Sequence, residues 1–392
     1  EVADRCGRID ILVNNAGIIR AAPSADYPLE KWRSVIDVDL IDRIEIIRGP
    51  SSSLYGSIAF FGVVSIITRR GGRDLKGVEL AGTAGSLATG KGRASYGGKL
   101  ENGLEMLLST SAYRSQGYGS LYYPEFNGVA RNADADRSDS FLGKFRFENF
   151  TLNTAFSTRT KNIPTASFGT VFGDPSNRTT DERKYIDMQY RSDLSDISEI
   201  TTRLSYDSYG YNGDYRYTAP DRVNKDSARG NWWGAEVLYS RKIPAGHKLT
   251  LGTEYQNNLR QDQSNRDITG AWLDDRRKSA NWGAYVQDEF ALSENLMLSA
   301  GLRHDHFQVS GATTNPRMAL IYRPREATTW KFLYGSAFRA PNVFELFYND
   351  GGNTQKAGQN LKPETIKTAE IVLEQGLARG WFATASLYHY QI

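Results

Sequence analysis

The chain has 392 residues, enough for two or three ordinary domains or one large barrel. A formal charge of +3 is too near neutral to point to nucleic acid, and the single cysteine, Cys6, excludes an internal disulfide and a thiolate metal cluster. Abundant Tyr, Trp and Gly favour an all-β chain with many turns, and no stretch reaches the roughly 18 apolar residues of a membrane helix, which leaves a membrane β-barrel open.

The first ten residues are charged and have no apolar core, so they do not read as a signal peptide. An exported protein needs one upstream, so the chain is expected to lack its true start. Ile9 to Val13 is a buried-strand run, followed by Asn14, Asn15, Ala16 and Gly17. Leu29, Trp32, Val35 and Ile36 then share one helical face. This β-loop-α stretch, about residues 1–40, resembles the middle of a short-chain dehydrogenase. There an Asn-Asn-Ala-Gly turn follows a Rossmann strand beside the nicotinamide cofactor. The family's Gly-rich phosphate loop belongs upstream of that turn and is absent here, so dinucleotide affinity is expected to be slight. Tyr27 and Lys31 have the spacing of the family's catalytic pair but sit only ten residues past Gly17, where chance spacing on a solvated helix is the simpler account. Asn14, Asn15, Ala16 and Gly17 therefore read as a remnant cofactor turn, with no catalytic residue, cofactor or metal site expected.

From about Ile41 the character changes. Ile44, Ile46 and Ile47 suit a buried strand, Gly49-Pro50 is a turn signal, Gly56 and Gly62 allow tight backbone positions, and Val63 to Ile67 suits a second buried strand. The segment "IDRIEIIRGPSSSLYGSIAFFGVVSIITRRG" resembles the last part of the plug of TonB-dependent outer-membrane receptors, through Arg43, Ile44, Glu45, Arg48, Gly49, Pro50, Leu54, Tyr55, Gly56 and Gly62. Between the two resemblances, Val38, Asp39 and Leu40 fit either parent, and the join reads as a seam.

Beyond Arg73 apolar residues recur with period two. Ile200, Thr202, Leu204 and Tyr206 oppose Glu199, Arg203 and Asp207; Leu249, Leu251 and Tyr255 oppose Lys248, Glu254 and Gln256; Leu296, Leu298, Ala300 and Leu302 oppose Ser299 and Arg303. One face is apolar and the other charged, as expected of lipid-facing and lumen-facing sides of a wide barrel. Short turns at 101–103, 242–247, 292–296 and 376–380 mostly alternate with long polar connections near 114–139, 161–182, 209–229, 260–277 and 339–362. That sorting is the asymmetry of an outer-membrane barrel. The aromatic runs at 210–217 and Trp232-Trp233 are expected to form girdles at strand ends. About fifteen strands are expected, against roughly 22 in plugged outer-membrane transporters, with the chain stopping inside a strand.

A second stretch, "YGSAFRAPNVFELFY" followed by "NLKPETIKTAEIVLEQG", resembles the late barrel of the same receptors. Its carriers are Phe338, Arg339, Ala340, Pro341, Glu345, Leu346, Leu361, Lys362, Pro363, Glu364 and Glu370. The resemblance implies a latch in which the plug Arg48 meets a barrel-wall carboxylate at Glu370; an enclosed guanidinium is costly unless paired. Weaker signals are discounted. Residues 85–92 nearly match a phosphate loop, but Gly92 replaces the required hydroxyl and a hairpin turn is the simpler reading. His304 and His306 share a strand face without a third ligand nearby and read as interfacial.

The expected fold class is all-β: an incomplete transmembrane β-barrel with a partial plug, plus a short N-terminal Rossmann-type β-loop-α fragment. The domains are 1–40, 41–72 and 73–392. The resemblance implies a receptor in the outer membrane of a Gram-negative bacterium. Its ligand is a scarce nutrient such as an iron-siderophore or cobalamin, its partner is the TonB energy-transducing complex, and lipid surrounds it. Because the coupling segment normally lies before the plug, this chain is expected not to couple. The alternatives are a short-chain dehydrogenase and a passive porin or adhesin.

Overall fold

Period-two alternation carries most of the chain beyond Arg73 into strands. The computed structural model describes residues 40–48, 62–352, 355–358 and 360–392. Asn14, Asn15, Ala16 and Gly17, the plug-motif residues Gly49, Pro50, Tyr55 and Gly56, and the side chain of Arg48 lie outside the described residues.

Two strands come first, β1 (Ile41–Arg48) and β2 (Gly62–Thr68), paired antiparallel with Arg48 opposite Gly62. Both were expected as strands. The expected burial is only partial, because Ile44 is half-buried and Ile66 is exposed. The unit is tied to the wall behind it. Leu40 and Leu75 are buried against Leu107, and Lys144 Nζ donates to Thr68 Oγ1 at 3.3 Å.

The wall comprises β3 (Gly77–Gly85), β4 (Thr89–Lys99), β5 (Glu105–Ser115), β8 (Asp136–Phe147), β9 (Phe150–Asn162), β10 (Arg178–Ser195), β11 (Ser198–Thr218), β12 (Asp221–Ile243), β13 (His247–Asp267), β14 (Gly270–Ser293), β15 (Leu296–Phe307), β16 (Gly311–Arg325), β17 (Thr328–Arg339), β18 (Glu364–Gly376) and β19 (Phe382–Gln391). These fifteen strands form one antiparallel sheet in which each pairs with its neighbours in chain order. A small hairpin, β6 (Ser120–Tyr123) with β7 (Gly128–Arg131), rides in the connection between β5 and β8. The fifteen-strand expectation is met, and residues 85–92 are the β3–β4 hairpin.

The wall is polar inside and apolar outside. Among the described residues Arg93, Asp187, Asp207, Arg303, Asp305 and Asn315 are buried, while Leu80, Ile186, Leu204, Leu251, Leu302 and Phe332 are exposed. Arg303 is 0 % exposed. It survives there because Asp305 Oδ1 lies 2.7 Å from Nη2 and Glu254 also reaches it. Diagonal pairs Arg183–Asp207 (2.6 Å) and Arg203–Asp187 repeat the device between β10 and β11. A sheet that buries ion pairs and exposes leucines is at rest only with hydrocarbon outside and a polar lumen inside.

Strand length departs from expectation. The stretches 209–229 and 260–277 were expected as long loops. Instead β11 to β14 run 21 to 24 residues each and turn over tightly at 219–220 and 268–269. Crossing the bilayer takes about 9–11 residues, so these four arms project roughly 35 Å beyond it. Above the hydrocarbon neither face of an arm needs apolar residues. The alternation that marks a strand fades, yet the cross-strand hydrogen bonds continue. The other long connections lie at this same end, between β5 and β8, β9 and β10, and β17 and β18, while the opposite end carries only short turns.

Candidate functional site

The aromatic runs expected as girdles mostly face inward. In "YGYNGDYRY" the tyrosines Tyr209, Tyr211, Tyr215 and Tyr217 occupy alternate positions of β11, on the face opposite the outward Leu204 and Tyr206. Register places Trp232 across from Asp207 and Trp233 across from Tyr206, so the two tryptophans part company. Trp233 packs on Tyr255 outside; Trp232 turns inward beneath the Arg183 guanidinium, 4.6 Å from its ring centroid.

These inward residues wall a cavity of about 1000 Å³ between the projecting arms. Gly213 makes room for it. A Cβ there would lie 2.4 Å from Tyr215 Cε2 and 2.8 Å from the Tyr211 hydroxyl, so its absence lets the two hydroxyls meet at 2.5 Å. Phe168 stands edge-on to Tyr215 at 5.7 Å, and its carbonyl accepts from Tyr217 Oη at 3.1 Å. Arg222 lies over Tyr217 at 4.9 Å, with Nε 2.7 Å from Asp267 Oδ2. Burial pushes the Tyr209 hydroxyl up to about 12 and those of Tyr211 and Tyr348 higher still, so all three remain neutral donors in water.

The remaining wall is a strap from the β17–β18 connection, carrying the short helix α1 (Val343–Phe347). The motif residues build its base. Asn342 and Glu345 form a reciprocal capping box at 2.9 Å in each direction. Arg339 donates to both oxygens of Glu345 (2.9 and 3.0 Å) and to Glu364 (2.9 Å), its register partner on β18. Arg339 and Glu364 thus anchor the strap. Pro341 sits just before the helix, and Pro363 just before β18.

The strap's far end docks on the arms. Tyr348 Oη donates to Asp226 Oδ2 at 3.1 Å and accepts from Asn265 Nδ2 at 2.9 Å. Gln263 donates to the Val343 carbonyl at 3.1 Å, and Arg277 lies 3.5 Å over the Phe347 ring. Asp226 stands above the apolar band, and burial pushes its carboxyl up to about 6, against the bond from Tyr348 that favours the charged form. A carboxyl raised by docking favours the docked state below its free value, near 3.8, and that gain is lost as pH rises through about 6. Protection factors for amide exchange across 343–348, corrected for the intrinsic pH dependence of exchange, should therefore be larger at pH 5 than at pH 7.5, and Asp226→Asn should flatten that difference. Equal pH dependence in the variant would reject Asp226 as its source.

Of the other expected residues, Glu370 alternates with the outward Ile371, so it faces the lumen. Its proposed partner Arg48 has no described side chain. His304 and His306 face outward and flank Trp282, with ring centroids 5.6 and 6.0 Å away, and His304 Nδ1 bonds Thr314 Oγ1 at 2.8 Å. The vestibule itself was missed. Its signal lies in the sequence: four tyrosines at odd positions of one strand, the period-two pattern of an inward face rather than of a strand-end cluster.

Inverted polarity, short turns at one end and long arms around a cavity at the other define an outer-membrane β-barrel of the receptor type. The profile described as TonB dependent receptor-like, beta-barrel matches residues 125–392, and the chain belongs to that family. A short chain dehydrogenase profile matches residues 1–60. An iron-regulated outer membrane virulence protein of Vibrio cholerae is 24% identical over 383 residues, covering 94% of this chain and 55% of the relative. The vitamin B12 transporter BtuB of the same species is 28% identical over 391 residues, covering 97% and 58%. The chain thus spans about half the length of the curated relatives it matches. Among solved structures, the ferric enterobactin receptor PfeA of Pseudomonas aeruginosa aligns with a TM-score of 0.66 at 20% identity, over 89% of this chain and 58% of that one. The ferric yersiniabactin uptake receptor FyuA of Yersinia pestis aligns at 0.67 and 15% identity, over 89% and 59%. These likenesses establish the fold. The proteins named are receptors and transporters, and the chain's place is the outer membrane of a Gram-negative bacterium.

Proposed function

We propose that this chain is the ligand-receiving part of a TonB-dependent receptor for a metal chelate such as an iron-siderophore or a cobalamin, and that the vestibule is where the chelate first binds. The aromatic cavity of about 1000 Å³ at the loop-bearing end carries this reading. It is large enough for a drug-sized or larger ligand, and its tyrosines offer flat faces with neutral hydroxyl donors. Force from a TonB complex would then open the route inward.

The proposed domains are a dehydrogenase-like segment over 1–40, plug residues 41–72 and barrel 73–392. The β1–β2 pairing and the burial of Leu40 against Leu75 and Leu107 support a plug unit from about residue 40. Both resemblances nonetheless reach the N-terminal segment, since the BtuB alignment leaves only about a dozen residues of the chain uncovered. We keep Arg48–Glu370 as the proposed plug latch, supported by the inward face of Glu370. Glu370→Arg leaving plug protection unchanged would remove it. A nicotinamide oxidoreductase remains the alternative for the N-terminal segment, and tight binding in a cofactor titration would favour it.

The test is a titration of the reconstituted chain with ferric catecholate and with cobalamin, read by tryptophan fluorescence. One of them should bind, and Trp232→Ala should weaken it about tenfold or more, as for an aromatic anchor in a pocket. Binding of neither, or binding untouched by Trp232→Ala, would reject the vestibule as the site.

A further inference from the structure

Strand β13 crosses the vestibule as a track of carboxamides. Gln256, Asn258, Gln261, Gln263 and Asn265 all line the cavity, although strict alternation would send the last three outward with Tyr255. A β-bulge resets the phase. Trp232 stands opposite Asn258 and Asn231 opposite Arg260, so Leu259 is the extra residue. Leu259 is exposed, while burial passes from Asn258 to Gln263 and Asn265. One inserted residue thus keeps five amides on the same side of the strand.

Several of these amides are held by one another. Gln256 Nε2 donates to Asn258 Oδ1 (2.7 Å), Asn258 Nδ2 donates to Ser279 Oγ (2.8 Å), and Ser279 Oγ donates to Gln261 Oε1 (2.8 Å). The relay fixes the side chains and leaves its two ends open. Gln256 Oε1 remains as an acceptor and Gln261 Nε2 as a donor, neither with a partner among the described residues.

The inward charges of the arms are already matched. Alternation sends Arg229 outward with Trp233, and the bulge sends Arg260 outward with the exposed Arg266. Arg222 faces in, and Asp267 holds it at 2.7 Å. Arg183, beneath Trp232, is held by Asp207 at 2.6 Å. Asp226 adds a carboxyl bonded to Tyr348. Among the described residues of this wall, an anionic ligand meets no inward cation that lacks a carboxylate. It would leave water without compensation, whereas an uncharged ligand would not.

We propose that the vestibule selects an electrically neutral chelate with amide groups on its periphery, a corrinoid or a ferric peptide hydroxamate, over an anionic ferric catecholate. An amide presents a carbonyl and an N–H side by side, the complement of the open Gln261 donor and Gln256 acceptor. This selection rests on the vestibule being the chelate site.

The reconstituted full chain would be titrated with cobalamin, with a ferric trihydroxamate and with a ferric tris-catecholate, at low and high salt, read by tryptophan fluorescence. The better neutral chelate should bind at least about tenfold more tightly than the catecholate, and its identity names the source of the amides. Its affinity should change less than about twofold between roughly 0.05 and 0.5 M salt, since it carries no net charge to be screened. Gln256→Leu/Gln261→Leu should weaken it by about tenfold, the loss of two neutral hydrogen bonds. Asp267→Asn, which releases Arg222, should strengthen the catecholate and narrow the gap. Catecholate binding as tight as that of the better neutral chelate would overturn the proposal, as would neutral binding that the double variant leaves unchanged. If the double variant does not fold, the parent's ranking of the three chelates and its salt dependence decide alone. A catecholate preference abolished by Trp232→Ala would overturn the selection and leave the vestibule standing as the site. Binding of none of the three would overturn both.

Discussion

Leu204→Arg should destabilise the folded barrel by about 2–4 kcal/mol in lipid vesicles, because it places a charge on the hydrocarbon-facing side of the wall. Leu204 is half exposed, lies between Thr202 and Tyr206 on the outward face of β11, and has Met188 and Ala235 across from it on either side. Gln189→Glu is the control, a charge set directly opposite Arg203. Gln189 is one residue from Met188 but faces the polar lumen, where charges already pair as Arg203–Asp187. It should cost less than about 1 kcal/mol. Denaturant unfolding in vesicles of defined thickness measures both. Equal costs at the two positions would mean that the two faces had been assigned to the wrong solvents.

Gly71→Ala should loosen the plug unit from the wall by about 1–3 kcal/mol, the usual range for forcing extra atoms into a closed site. A Cβ on Gly71 would lie 1.6 Å from the Met106 carbonyl oxygen and 2.3 Å from its carbon. Both are backbone atoms of β5, so no side chain can swing aside. Gly71 also bridges to Leu75, which is buried with Leu40 and Leu107. Hydrogen exchange over 62–76 should accelerate in the variant while β10 to β14 keep their protection. Unchanged exchange over 62–76 would show that the contact at Gly71 does not hold the unit in place.

The anchor of the strap illustrates how a sequence motif and its physical role can separate. Arg339, Pro341, Pro363 and Glu364 were picked out by resemblance, with no contact assigned to them. The structure gives Arg339 and Glu364 a bond across the β17–β18 register and adds Glu345, which also closes the capping box of α1. Asp226, Asn265 and Tyr348 were invisible as a group. They come from β12, β13 and the strap, and only the fold brings them to hydrogen-bonding distance.

The sequence by itself determined the class of fold, the strand count and the two faces of the wall. Those properties are local: a period of two along each strand puts Leu204 outside and Asp207 inside whatever the neighbours are, and the repeated turns set the number of passes. Only the tertiary structure decided where the chain leaves the membrane, because above the hydrocarbon the alternation fades while the ladders of β11 to β14 continue. It also decided that Tyr211, Tyr215 and Trp232 line a vestibule: alternation turns the tyrosines inward, but the cavity itself needs the register of β12 against β11, the strap, and an arm length that no single strand records.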